Sequence, residues 1–145
     1  MNTVLVGDIG ESLAIAKFTK NGLVVSKPLS NSVRYDLIID CNGKLYKVQV
    51  KTTNTIKDGK MTFATKTTNY TKGSWSSNSY SKEEIDLFFL YCIENDWCGL
   101  YFVNEATNIP MELNIRTVPP KNGQKIGIRL AEDYSFDKQV LSLNQ

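Results

Sequence analysis

Asp36, Gln49 and Lys51 are the residues of this sequence whose types and spacing could do chemistry together. They flank Asn42-Gly43, a dipeptide that favours a two-residue hairpin turn. If Cys41 faces Lys44 across that turn, then Asp40 faces Leu45, Ile38 faces Lys47 and Asp36 faces Gln49. Directly opposed side chains on one face have Cβ atoms roughly 4.5–5.5 Å apart. That is close enough for a carboxylate and an amide oxygen to hold one cation between them. Lys51 lies two residues beyond Gln49 and projects from the same face, so its ammonium can reach a water or phosphate beside that cation. The neighbours alternate accordingly: Tyr35, Leu37, Ile39 and Cys41 form one apolar face with Tyr46, Val48 and Val50, and the other face carries Asp36, Lys47, Gln49 and Lys51. The same pattern also describes an ordinary solvent-facing hairpin with a cross-strand Asp–Lys contact, and the hairpin alone leaves both readings open.

Glu11 adds weight to the first. Residues 4–20 have helical periodicity, with Asn21-Gly22 as a C-terminal stop. Glu11 falls between Val4, Ile15 and Phe18 on one apolar stripe, while Val6, Ile9, Leu13 and Ala16 make a second stripe on the opposite side. A carboxylate set into an apolar face needs a cation or strong hydrogen bonds. The alternative is a glutamate at the helix edge, tied to Lys17 or to a backbone amide.

The elements that must position these residues follow from pattern and turn chemistry. Leu23–Ser26 is a short strand, Arg34–Cys41 and Lys44–Thr52 are the hairpin, and residues 60–67 form a further strand after the Lys57-Asp58-Gly59 turn. Asn69–Ser81 is rich in Ser, Thr and Asn and reads as a surface loop. Ser81 and Glu84 have the spacing of a capping box. Residues 85–94 and 99–104 read as buried strands, 111–118 as another, and 129–134 as a short helix. Phe88, Phe89, Tyr91, Trp97, Tyr101 and Phe102 read mainly as core. The sum is an α/β fold, a central mixed sheet flanked by helices, in a single domain spanning 1–145.

Composition narrows the chemistry. There is no histidine, which excludes mechanisms built on an imidazole base or ligand. Cys41, Cys92 and Cys98 are odd in number and widely spaced, which fits buried thiols better than disulfides or zinc. Net charge is only +2, yet residues 44–72 hold seven lysines and one acid, Asp58, an electropositive block in a near-neutral chain. Neither a signal peptide nor an apolar run of membrane-spanning length is evident, so a cytoplasmic protein without a membrane partner is expected.

Glu11 on the first helix, Asp36 opening a strand and Gln49-Val50-Lys51 in its hairpin partner resemble the PD-(D/E)XK nuclease superfamily, the restriction-endonuclease-like fold. Small size, lack of histidine and the Gln-Val-Lys variant resemble most the bacterial intron-encoded homing endonucleases with this fold. Tyr35 stands where the motif has proline, and Gln49 where it has an acid. The resemblance implies a site-specific endonuclease of double-stranded DNA, with Mg²⁺ (or Mn²⁺) held by Asp36, Gln49 and Glu11 while Lys51 completes the catalytic set. A non-catalytic or weakly catalytic DNA-binding protein on this fold is the alternative that the neutral Gln49 raises, and a Holliday junction resolvase using the same site is another. Lys60, Thr62, Ala64, Lys66 and Thr68 share one face of an extended segment, which Thr52–Thr55 could pair with to form a β-hairpin DNA-reading extension. Lys60, Thr62, Lys66, Thr68, Lys72 and Trp75 are the expected DNA contacts. A double-strand cut needs two sites, so a homo-oligomer is expected, at least a dimer; the resemblance implies a tetramer.

Overall fold

The computed structural model describes residues 1–103 and 108–144. Helix α1 (Thr3–Lys20) starts at Asn2, whose side chain accepts from the Leu5 N–H at 2.8 Å, the cap that satisfies a first-turn donor. Its buried residues are Val6, Gly10, Ala14 and Phe18, a single stripe at i+4 spacing. The two-stripe reading therefore gives way to one narrow seam, with Glu11 half-buried at its edge. Small residues within the seam decide this. A Cβ on Gly10 would lie 1.9 Å from Thr52 Oγ1, so only glycine lets α1 settle this close to the strand that carries Lys51.

That strand is β3 (Lys44–Thr53), the longest in the molecule among the described residues. It lies in a mixed five-stranded sheet ordered β1-β2-β3-β8-β9, with β1 (Val24–Ser26), β2 (Leu37–Cys41), β8 (Leu87–Cys92) and β9 (Trp97–Phe102). The β2–β3 register is the expected one, from Cys41↔Lys44 through Leu37↔Val48. Its Asn42-Gly43 turn has φ of 52° and 91°, the left-handed pair that suits these two residue types. Along its second half, from Val48 to Thr53, β3 pairs in parallel with β8. Strand β2 thus leaves β3 where β8 joins it, and Gln49 and Lys51 sit at that fork.

One face of the sheet packs on α1 through Leu37, Ile39, Val48, Leu87, Phe89 and Leu100. The other buries Phe88, Leu90 and Tyr101 against Met61, Phe63 and Leu113 of a second sheet. Strand β8 is buried along its whole length because both its faces are covered. The aromatic cluster is core: Phe88 and Phe89 have no exposure and Tyr91 and Tyr101 little. This is the α/β architecture expected from the sequence, a central mixed sheet with helical cover, but the hairpin that projects from it is not the expected pairing of 60–69 with 52–55.

The second sheet is ordered β11-β10-β5-β4, with β4 (Ile56–Lys57), β5 (Lys60–Ala64), β10 (Glu112–Arg116) and β11 (Arg129–Leu130). Several expected boundaries change. The segment 60–69 is two strands rather than one edge. It breaks at the fully buried Thr65, whose N–H and hydroxyl donate to Met111 O at 3.0 Å and Pro110 O at 2.6 Å. Beyond it, β6 (Lys66–Thr71) and β7 (Ser74–Ser79) form a separate two-stranded ribbon, so the expected loop over 69–81 is mostly strand. Thr52 and Thr53 stay paired with β8, and β4 partners β5 instead. Residues 129–134 divide into β11 and the four-residue helix α2 (Ala131–Tyr134), followed by α3 (Phe136–Gln139). The strand expected over 99–104 begins at Trp97, and its last residue, Asn104, lies outside the described residues.

All three cysteines are buried thiols, and burial pushes Cys98 up to about 11, the environment of an unreactive thiol. Among the described residues, no helix is long and apolar enough to cross a membrane.

Candidate active site

Asp36 precedes the first residue of β2 and bonds β3 twice. Its N–H donates to Val48 O at 2.8 Å, and its Oδ2 accepts from the Val50 N–H at 2.8 Å. The carboxylate therefore takes over a strand donor at the point where the β2–β3 ladder stops. Burial raises its pKa above the ordinary aspartate range; the Val50 hydrogen bond opposes this, the Glu11 charge reinforces it, and Lys51 and Lys27 oppose it in turn. A half-buried carboxylate held in this way gains from any added positive charge.

Gln49 is the immediate neighbour. Its carboxamide lies between the Asp36 carboxylate and the Arg34 carbonyl on one side and the Tyr80 hydroxyl on the other. With its nitrogen turned inward, it donates to Arg34 O and, at 3.2 Å, to Asp36 Oδ2, while its oxygen accepts from Tyr80 Oη at 3.2 Å. Turned the other way, its oxygen would join Asp36 Oδ2 and the Arg34 carbonyl, three oxygens converging with no donor between them. Such a set is unfavourable by itself and suits a hard divalent cation. Asp36 Oδ2 and, in that orientation, the Gln49 side-chain oxygen are the donors that could hold a metal ion at the fork. Among the described residues no three His, Cys, Asp or Glu side chains cluster as a metal site, so Gln49 is needed to complete a donor set here.

Lys51 reaches toward the same place, its Nζ 5.1 Å from the centre of the Tyr80 ring. Glu11 and Asp36 line one open pocket together with Lys27, Ser30 and Tyr35. Glu11 is ion-paired with Lys27, a partner not weighed in the sequence. Hydrogen bonding and charge from Glu11 raise the Lys27 pKa. A strand edge and a loop thus bring Lys27 to the helix edge at a sequence distance that no local pattern reports.

The expected DNA contacts divide between two places. Lys66, Thr68, Lys72 and Trp75 lie on the ribbon; of these, all but the half-buried Lys66 are exposed. Trp75 pairs with Tyr70 across it, ring centres 4.9 Å apart. Lys60 and Thr62 lie in the second sheet. Thr62 donates to Asn114 Oδ1 at 2.7 Å, and Lys60 lines a groove with Arg116 and Arg129. Those two arginines were missed in the sequence, because only the β10–β5 and β10–β11 pairings bring them beside Lys60.

Arg34 joins the ribbon to the fork. It donates from Nη1 to Ser79 O at 2.8 Å and to Glu84 Oε1 at 2.9 Å, and from Nη2 to Thr67 Oγ1 at 2.9 Å and Asn78 O at 3.2 Å. Its guanidinium carbon lies 4.0 Å from the centre of the Tyr80 ring. Glu84 also accepts from the Ser81 N–H at 2.9 Å, as the capping-box spacing implies. Burial acts to raise the Glu84 pKa, but the bonds from Ser81 and the Arg34 charge outweigh it and hold the carboxyl below its usual range.

A model of the PD-(D/E)XK endonuclease family matches residues 1–137. The chain belongs to the PD-(D/E)XK endonuclease family. Its fold is similar to the solved structure of a bacterial homing endonuclease, I-Ssp6803I, over 97% of this chain and 93% of the other, with a TM-score of 0.77 and 25% sequence identity. A 53-residue stretch is 42% identical to Protein 5.3 of Escherichia phage T7. That stretch is 37% of this chain and 45% of the phage protein, so the match spans less than half of that relative's length.

Proposed function

We propose that residues 1–145 form one nuclease domain that cuts double-stranded DNA at specific sites, in the manner of a homing endonuclease, with Mg²⁺ as cofactor and Mn²⁺ as a substitute. The observation that carries this reading is that the Asp36 carboxylate and the Gln49 amide lie side by side at the β2–β3 fork with the Lys51 charge near them, while Glu11 lines a pocket with Asp36. Asp36, Gln49 and Glu11 would hold the metal. Bound there, a divalent ion lowers the pKa of a water and neutralises charge on the phosphate. Asp36 is oriented by the Val50 N–H. Lys51 presents an ammonium to the scissile phosphate or to the attacking water, where fixed positive charge favours the transition state. Lys27 neutralises Glu11 until phosphate and metal arrive.

DNA is read by the ribbon, with Lys66 and Lys72 on phosphates and Thr68 and Trp75 toward the bases; Lys60 and Thr62 extend the contact over the second sheet. Two sites are needed for a double-strand cut, so the working unit is a symmetric dimer or a tetramer built from it. The cytoplasm is the compartment that fits these properties.

The test is cleavage of supercoiled plasmid with Mg²⁺, with Mn²⁺ and with EDTA: discrete linear product with either metal and none with EDTA supports the reading. One observation favours a second reading, a DNA-binding protein with little cleavage: Gln49 is neutral and its amide can be fully satisfied by Arg34, Asp36 and Tyr80. Retained binding to duplex with no cutting under any divalent ion would select it. Preference for a four-way junction over linear duplex would select a resolvase instead.

A further inference from the structure

We propose that Tyr80 and Arg34 are positioning residues that couple the orientation of the Gln49 amide to the seating of the β6–β7 ribbon. The inference rests on the metal-site reading above and adds a control on it. Tyr80 follows the last residue of β7 directly, is almost fully buried, and touches both candidate site residues of β3: Gln49 through its hydroxyl and Lys51 through its ring. Phe88 fixes that ring from the sheet at 5.5 Å in an edge-to-face contact. Arg34 lies two residues before Asp36, and its carbonyl meets the Gln49 amide. Its side chain grips both strands of the ribbon at their root, at Thr67 on β6 and at Asn78 and Ser79 on β7. The same guanidinium lies over the Tyr80 ring. Six contacts therefore run from the ribbon root to one amide.

The amide has two settings with opposite consequences. With its oxygen on the Tyr80 hydroxyl, it turns a nitrogen toward Asp36 and blocks the cation's place. With its oxygen on Asp36, it completes the donor set and loses the Tyr80 hydrogen bond. A ribbon drawn into a DNA groove pulls on Thr67, Asn78 and Ser79, and hence on Arg34 and Tyr80, which releases the latch. Metal binding and ribbon engagement then favour each other, as linkage requires of two ligands that select the same state.

The test needs no target site and no cleavage. Mn²⁺ affinity of the full, DNA-free chain is measured by electron paramagnetic resonance for the unsubstituted protein, Tyr80→Phe and Thr67→Val. A neutral hydrogen bond contributes about 0.5–1.5 kcal/mol net, or roughly 2- to 12-fold in an equilibrium constant. Tyr80→Phe, which keeps the ring and removes the hydroxyl, is expected to tighten Mn²⁺ by about that factor. Thr67→Val, on the ribbon side of Arg34, is expected to tighten it less but measurably. In a Gln49→Ala background both effects should vanish, because the amide they act through is gone. A Tyr80→Phe effect that is absent, reversed or persistent without Gln49 overturns the latch. A silent Thr67→Val overturns the coupling to the ribbon. Failure of the unsubstituted protein and Tyr80→Phe alike to bind Mn²⁺ would refute the metal-site reading together with this inference, whereas binding that no substitution alters refutes this inference alone.

Discussion

Asn42-Gly43 between β2 and β3 and Lys72-Gly73 between β6 and β7 are each a pair of residues at positive φ that turns an antiparallel hairpin, as Asp58-Gly59 also is between β4 and β5. In the first, every second residue of β2 is buried, and β8 pairs along the free side of β3. In the second, almost every side chain faces solvent, and no further strand joins among the described residues. An isolated two-stranded hairpin is marginal in water. The ribbon is held at its base by Arg34 and Thr65 and at its far end by the Tyr70–Trp75 pair. The contrast separates two tasks: a hairpin locked into the sheet can keep Asp36 and Gln49 in register, while one that leaves its polar face unpaired is free to meet a polar partner.

The sharpest way to break the comparison is Lys51→Ala. If β3 carries the chemistry and the ribbon the binding, cleavage should fall at least about a hundredfold while duplex affinity by gel shift changes little. Next comes stability. Ile39→Ala opens a cavity beneath α1 and should cost about 2–5 kcal/mol by denaturant titration, whereas Ser77→Ala, on the exposed ribbon, should stay within about 0.5 kcal/mol.

Asp36→Asn should abolish metal-dependent cleavage yet raise the melting temperature of the metal-free protein near neutral pH. The sign follows from the raised pKa of Asp36. The native state favours the protonated carboxyl, so this group's stabilising contribution is complete below the ordinary aspartate value and is lost as pH rises through the raised one. Asparagine keeps an acceptor for the Val50 N–H and removes that loss, so the difference between variant and parent should shrink toward acid pH. The smallest effect belongs to Lys72→Ala: folding should be unchanged, and the slope of log affinity against log salt should fall by about 0.9, one phosphate contact.

The two hairpins also differ in how legible they were in the sequence. The β2–β3 register could be read residue by residue, because apolar alternation and Asn-Gly act together, and each one-residue slip would expose Leu37, Ile39 and Val48. The ribbon was read as a loop beyond Asn69 because Ser74–Ser79 has no apolar alternation, and Lys72-Gly73 is a weaker turn signal than Asn-Gly. Gly10 escaped notice for a similar reason. Its requirement lies in the closeness of Thr52, whose Oγ1 a Cβ at position 10 would meet at 1.9 Å, rather than in helix periodicity. Gln49 was visible as a candidate ligand from spacing alone, but Tyr80 and Arg34, which set its amide, come together only through the packing of the ribbon root on the sheet.

The most direct measurement is a crystal structure of the protein with a duplex it binds and Ca²⁺, which occupies oxygen sites without supporting turnover in the way Mg²⁺ does. The account predicts one ion at the β2–β3 fork with the Asp36 carboxylate and the Gln49 side-chain oxygen on it, Lys51 beside the scissile phosphate, and the β6–β7 ribbon against the DNA. An ion held elsewhere, or DNA seated away from both the fork and the ribbon, would contradict it.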